Sequence, residues 1–224
     1  MREQKNFFVY ALNPTLIPFA SGIKECLKLL GQSVISNFDK NEGRYFFYSS
    51  WITFYEPITF WSRFDHLILI IDNGIESIPI EVKKYIANGE KLGMPVSIYQ
   101  FDGTGLNEYK QSFLKDSEII SQLQQEQKWR ESYTSKLKKL RIDVDYSSSA
   151  LWVDGKNLSY DCIDLPFPLV RRLQRWAEVY DRFLWPEPGD NLDEIDSWFT
   201  MEQQRLAAEV KRQLPNVEVI ADEV

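Results

Sequence analysis

The sequence predicts an α/β protein in two parts: a small parallel sheet with covering helices, then a mostly helical α+β region. Three observations carry that reading. Short apolar runs alternate with helix-spaced segments up to about residue 105, which is how a parallel sheet with crossover helices is written. After residue 111 Gln, Lys and Glu dominate, and the apolar positions take helical spacing. Turn residues and this composition shift coincide between Gly103 and Gln111, which sets the expected domains at 1–105 and 111–224.

In chain order, Phe7–Leu12 is a short apolar run suited to a buried strand, and Asn13-Pro14 and Pro18 break it. Ala20–Leu30 places Ile23, Cys26 or Leu27, and Leu30 on one helical face before Gly31. Ser33–Ser36 reads as a second strand. The aromatic-dense stretch Asp39–Ser62 is given one helix, near Ser50–Phe64, interrupted by Pro57. His66–Ile71 is the clearest buried strand, and it ends at the turn signal Asp72-Asn73-Gly74. Ile80–Leu92 fits a helix with Val82, Ile86 and Leu92 inward. Pro95–Phe101 is a further strand, closed by Asp102–Gly105.

In the second half, Gln111–Lys139 carries helical spacing through Ile119, Ile120, Leu123, Trp129, Tyr133, Leu137 and Leu140. That segment fits either a bridge between the halves or a part of the second core. Asp154-Gly155 is a hairpin signal between Leu151–Val153 and Leu158–Tyr160. Two helices follow. The first, from Pro168 to about Phe183, carries the stripe Val170, Leu173, Trp176, Ala177 and Tyr180. The second, Asp193–Leu214, carries Ile195, Phe199, Leu206, Val210 and Leu214. Trp176, Tyr180, Phe183, Trp185, Trp198 and Phe199 read as one aromatic core between them. Asn216–Ile220 is a final strand.

The 224 residues are 44% hydrophobic and 26% charged, enough for a real core. Lys plus Arg number 26 against 33 Asp plus Glu, for a net charge of −7. That balance argues against nucleic acid as the main partner, since duplex binding rests on many basic contacts. The charge is uneven: residues 121–142 hold six basic and two acidic groups, residues 186–224 three basic and ten acidic. Two cysteines make no disulfide framework and suit a reducing compartment. No apolar run approaches ~20 residues and no signal peptide is evident, so a cytoplasmic protein without membrane contact is expected. His66 is the single histidine, and a zinc site, a phosphate-cradling glycine loop and a dinucleotide fingerprint are all missing from the sequence. No metal and no cofactor are expected.

Asp65 ahead of His66–Ile71, the loop Asp72-Asn-Gly-Ile-Glu-Ser77 and the lead Leu92-Gly-Met-Pro-Val96 together resemble the nucleoside 2-deoxyribosyltransferase-like domains. Phe8–Gln32 matches the first strand-helix unit of that family in outline. The resemblance covers about half the chain and implies a flavodoxin-like parallel sheet. It also implies a catalytic Glu that attacks the anomeric carbon of a nucleoside. Tyr85 stands at that nucleophile position here, so no catalytic residue is expected. If chemistry is kept, Glu76 or Glu81 would be the nucleophile and Asp72 its assistant, in an N-glycosidase or transferase. A third possibility is a nucleotide-sensing pocket at the C-terminal ends of the strands, formed by Asn13, Asp72, Tyr85 and Asp102.

Leu165-Pro-Phe-Pro-Leu169, Arg172-Leu-Gln-Arg-Trp176, Tyr180-Asp181, Phe199 and Glu202–Ala208 resemble a C-terminal pattern of bacterial toxin-immunity proteins. This resemblance spans roughly Leu151–Val219. It implies a cytoplasmic immunity or antitoxin-like protein whose partner is a basic toxin domain. The expected contact residues are Trp185, Glu187, Asp190, Asp193, Glu194 and Asp196, with Asp193 capping the second helix.

Overall fold

In the computed structural model, which describes residues 4–41, 44–47, 56–72, 74–110, 112–145, 148–184 and 192–221, the chain is an α/β protein of two units. One unit runs to Gln124 and the other starts at Gln125.

The N-terminal unit contains β1 (Asn6–Ala11), α1 (Ile17–Leu29), β2 (Ser33–Ser36), β3 (Phe38–Asn41) and β4 (Arg44–Phe47), followed by α2 (Pro57–Arg63) and β5 (His66–Ile71). It continues through α3 (Ile80–Lys91), β6 (Val96–Phe101) and β7 (Leu106–Tyr109). Its main sheet has the order β2-β1-β5-β6-β7. The first four of these strands are parallel, and β7 is an antiparallel edge. β3 and β4 pair separately as a hairpin.

The central strands are buried on both faces, which is why β1 and β5 read as unbroken apolar runs. Val9, Ala11, Ile68 and Ile70 face one way and pack with Leu16, Ile17, Ala20 and Phe38. Phe8 faces the other way, with its ring edge-on to Phe60 at 5.4 Å and to Phe64 at 5.1 Å. The sheet is extended past β2 by a side chain. Asn37 is fully buried, accepts from Ala11 N at 2.8 Å and donates to Ala11 O at 2.8 Å. Its amide thus satisfies a backbone pair that a longer strand would have satisfied.

Two prolines act differently from the sequence expectation. Pro18 lies in the first turn of α1, and Pro57 opens α2. A first-turn N–H has no partner within the helix, so a proline there costs nothing and pre-sets φ. The inward face of α1 runs Ile17, Ala20, Ile23 and Leu27, while Leu30, just past the helix, is 63% exposed rather than part of that face.

Helices α2 and α3 meet at a glycine. Trp61 is fully buried and donates from Nε1 to Tyr85 O at 2.9 Å. A Cβ at Gly89 would lie 2.3 Å from that indole ring. The missing side chain lets the ring lie on the helix backbone and reach the carbonyl one turn earlier.

The second unit takes in the C-terminal part of α4 (Ser117–Lys136), then β8 (Lys139–Ile142), β9 (Leu151–Val153), β10 (Lys156–Asn157), α5 (Phe167–Leu184), α6 (Leu192–Gln213) and β11 (Glu218–Ala221). The sheet order is β10-β9-β8-β11, with β11 parallel to β8 and the other pairs antiparallel. Asp154 (φ 50°) and Gly155 (φ 75°) form the tight turn between β9 and β10, as a two-residue hairpin demands. The return strand is shorter than the sequence suggests. Tyr160 starts a 3-10 turn, and its buried hydroxyl accepts from Ala150 N at 3.0 Å. Leu140, Ile142 and Leu151 form the covered face of the sheet, and α6 packs over β8 and β11. Among the described residues, no helix is long and apolar enough to cross a membrane.

Replacing an interior helical glycine by alanine ordinarily gains about 1 kcal/mol. At Gly89 the clash with Trp61 reverses the sign. Gly89→Ala is expected to destabilise the N-terminal unit by about 1–3 kcal/mol, read from the urea midpoint of the full chain.

Candidate functional site

The sheet order creates one topological switch point in the N-terminal unit. From β1 the chain crosses to β2 on one side, and the next parallel strand, β5, pairs on the other side. The C-terminal ends of β1 and β5 are where such sheets place ligands. Asn13 and Asp72 lie there, and Asn13 Nδ2 donates to Asp72 Oδ2 at 2.6 Å. Asn13 Oδ1 accepts from Thr15 N at 3.0 Å and Thr15 Oγ1 at 2.5 Å, which shapes the turn into α1.

Asp102 follows β6. Its Oδ1 accepts from the Thr104 hydroxyl, Thr104 N and Gly105 N at 2.7, 2.8 and 3.0 Å, and its Oδ2 accepts from Asn107 Nδ2 at 2.7 Å. These donors, the Thr104 hydroxyl foremost, hold its carboxyl far below the usual carboxylate range. Tyr85 is 5% exposed and meets Phe60 edge-on at 5.3 Å. The structure therefore brings Asn13 and Asp72 together, while Asp102 closes the β6–β7 turn and Tyr85 is part of the core. Glu76, in a 3-10 turn, and Glu81, in the first turn of α3, are both exposed.

His66 opens β5. Its ring stacks on Phe7 at 5.3 Å, and Nε2 hydrogen-bonds with Ser97 Oγ at 2.9 Å. Burial, with a smaller push from Lys5, lowers its pKa. Among the described residues, no group of His, Cys, Asp and Glu is placed to hold a metal ion.

In the second unit, buried contacts set the rotation of α6. Trp176 Nε1 donates to Phe199 O at 3.0 Å, and the two rings stack at 4.5 Å. Gln203, 1% exposed, donates from Nε2 to Ile142 O at 3.0 Å. At the rim, Arg172 joins Glu202 at 2.8 Å and also Glu209. With Phe199, Gln203, Leu206 and Val210 turned inward, Trp198, Met201 and Arg205 share the outer face at i, i+3 and i+7. Trp198 is 40% exposed and Met201 53%.

Asp193 and Asp196 are exposed in the opening turns of the same helix. Because α6 starts at Leu192, Asp193 sits within its first turn rather than capping it. There a carboxylate complements the helix dipole. Trp185, Glu187 and Asp190 lie outside the described residues, as does the side chain of Glu194.

The sequence places Trp198 in the aromatic core and marks nothing at Met201; both are exposed. The distinguishing signal was present: Phe199, not Trp198, is in phase with Leu206 and Val210. An exposed Trp and Met on one helix face make a surface suited to a protein partner, where large apolar side chains anchor.

Residues 138–221 match the family described as Serratia CdiI immunity protein-like. The matched segment begins just before β8 and ends with β11, so it takes in the whole four-stranded sheet with α5 and α6. The match supports a toxin-immunity protein in general. No curated protein and no solved structure matches the chain significantly.

The state of His66 has a consequence for stability. Its folded-state pKa lies below its ordinary value, so the unfolded chain takes up the proton first as pH falls. Its contribution is complete above about pH 6.5 and is lost as pH falls through the folded value. Between pH 7.5 and 5.5, wild type should lose more unfolding free energy than His66→Gln, measured by urea titration at each pH.

Proposed function

We propose that the chain is an immunity protein that binds and occludes a bacterial toxin domain in the cytoplasm. The observation that carries this reading is the family match over residues 138–221. The outer face of α6 would supply the contact. Trp198 and Met201 anchor its centre, and Asp193 and Asp196, at the opening end of the helix and off that face, meet basic groups at the margin of the contact. The acid-rich balance of residues 186–224, ten acidic groups against three basic, supports a basic partner and fast electrostatic encounter. Occlusion is steric, so no group on this chain needs to perform chemistry.

The N-terminal unit then serves as a platform. The enzymatic alternative asks for a carboxylate at position 85, and the tyrosine there is packed against Phe60. Its polar groups at the strand ends also have internal tasks, with Asn13 shaping the turn into α1 and Asp102 closing a hairpin.

The test is co-expression with the toxin domain encoded beside the gene. Cells should be protected, and the purified pair should bind with a dissociation constant below the micromolar range. Failure to protect against any adjacent toxin overturns the reading. Within a protective pair, Trp198→Ala with Met201→Ser is expected to weaken binding at least tenfold, chiefly by faster dissociation. Asp193→Lys with Asp196→Lys should instead slow association and reduce its salt dependence. Both effects are read by surface plasmon resonance at two ionic strengths.

A further inference from the structure

The chain is acidic overall, yet its second unit carries a concentrated basic feature that the immunity reading does not use. At the junction of α4 and β8, a cavity of about 340 Å³ opens between the helix end and the β9–β10 turn. Leu137 and Val153 give it an apolar part. Lys136, Lys138, Lys139 and Tyr133 also line it. Lys156, on the strand position paired with Val153, adds a fourth exposed cation nearby. Two carboxylates oppose them. Asp154 lines the cavity, and Glu218 meets Lys139 at 3.8 Å with both side chains more than half exposed. An ion pair that open to water is worth little and competes weakly with a ligand.

One turn back along α4, Trp129 stacks on Tyr133, with centroids 5.6 Å apart and planes at 26°. Trp129 is 51% exposed, so it offers an aromatic platform to solvent. Trp129, Tyr133 and Lys136 fall at i, i+4 and i+7, on one face of the helix. The platform and the lysines are therefore about 10 Å apart along the axis. A planar stacking surface beside a cluster of ammonium groups is how proteins hold a base and its phosphate without reading sequence. Lysine serves such phosphates as a point charge.

The geometry points to a nucleotide-binding site here, in which a base stacks on Trp129 and its phosphate enters the lysine-rimmed cavity. The ligand is a free mononucleotide or one link of a single strand, because both present the same base and phosphate. This is a local site and leaves the charge argument against nucleic acid as the main partner intact. It is independent of the toxin-binding reading, and it lies on α4 and β8–β10 rather than on α6.

The test uses the full chain and a fluorescein-labelled twelve-residue oligouridylate, followed by anisotropy at 50 and 200 mM salt. Binding is expected at the lower salt, with clear weakening at the higher. Trp129→Ala should weaken it at least fivefold, and Lys136→Glu with Lys138→Glu should abolish it. Both variants should keep the wild-type urea midpoint, since these side chains are exposed. AMP in excess separates the two sources: competition identifies a free nucleotide as a ligand, and its absence identifies the strand. Three results would overturn the proposal: no binding at 50 mM salt, binding indifferent to Trp129→Ala, or equal displacement by polyglutamate. The last two would mark the lysines as a nonspecific cationic patch or an acidic-peptide site.

Discussion

The rotation of α6 about its own axis is the constraint on which the candidate interface depends. The apolar stripe Phe199, Leu206 and Val210 of this 22-residue helix sets which side is buried. Its fine rotation is then pinned by two buried donors, the Trp176 indole to the Phe199 carbonyl and the Gln203 amide to the Ile142 carbonyl. The first ties α6 to α5, the second ties it to β8, an interior strand of the sheet. Breaking either leaves a buried polar group without its partner, which costs more than the bond itself contributes. A slip of one residue would turn Trp198 inward in place of Phe199 and forfeit both bonds. The exposure of Trp198 and Met201 is therefore a consequence of what lies beneath them.

The N-terminal unit solves a different problem with the same economy of polar groups. Where its short strands end, backbone groups lose their ladder partners and need others. Asn37 supplies one by imitating a strand residue beside Ala11, and Asp102 supplies another by gathering the donors of its own turn. On the opposite side of the sheet the fit is steric, with Trp61 laid on the bare backbone at Gly89.

What could be read from the chain divides along physical lines. His66–Ile71, Ile80–Lys91 and the Asp154-Gly155 turn were legible because each rests on local chemistry: an unbroken apolar run, a helical stripe, a residue pair that tolerates positive φ. β7 was not, because Leu106-Asn-Glu-Tyr109 is an edge strand with little to bury. β8 was hidden by coincidence of period. Leu137 and Leu140 fit the helical spacing of α4, while Leu140 and Ile142 fit the alternation of a strand, and only the sheet decides between them. The β3–β4 pair lay in an aromatic stretch with no clear period. For the candidate interface, the carboxylates were visible as composition, but whether Trp198 or Phe199 is buried is a question of helical phase.

The placement of charge in the second unit follows from the same logic and explains why both surfaces can exist on a small fold. Asp193 and Asp196 stand at the start of α6, where the helix dipole is positive, and Lys136 stands at the end of α4, where it is negative. Each cluster is stabilised by the helix end that carries it, so neither needs a partner within the chain to be tolerated. Charges that do fix the architecture are placed otherwise: Arg172 spans α5 and α6 to reach two carboxylates, and Arg141 lies over the Trp152 ring while pairing with Asp143 at 2.9 Å. The distinction separates groups that hold the fold from groups left facing solvent. A charge bridging two elements is consumed by the architecture, whereas one that merely complements its own helix end keeps its outward valence.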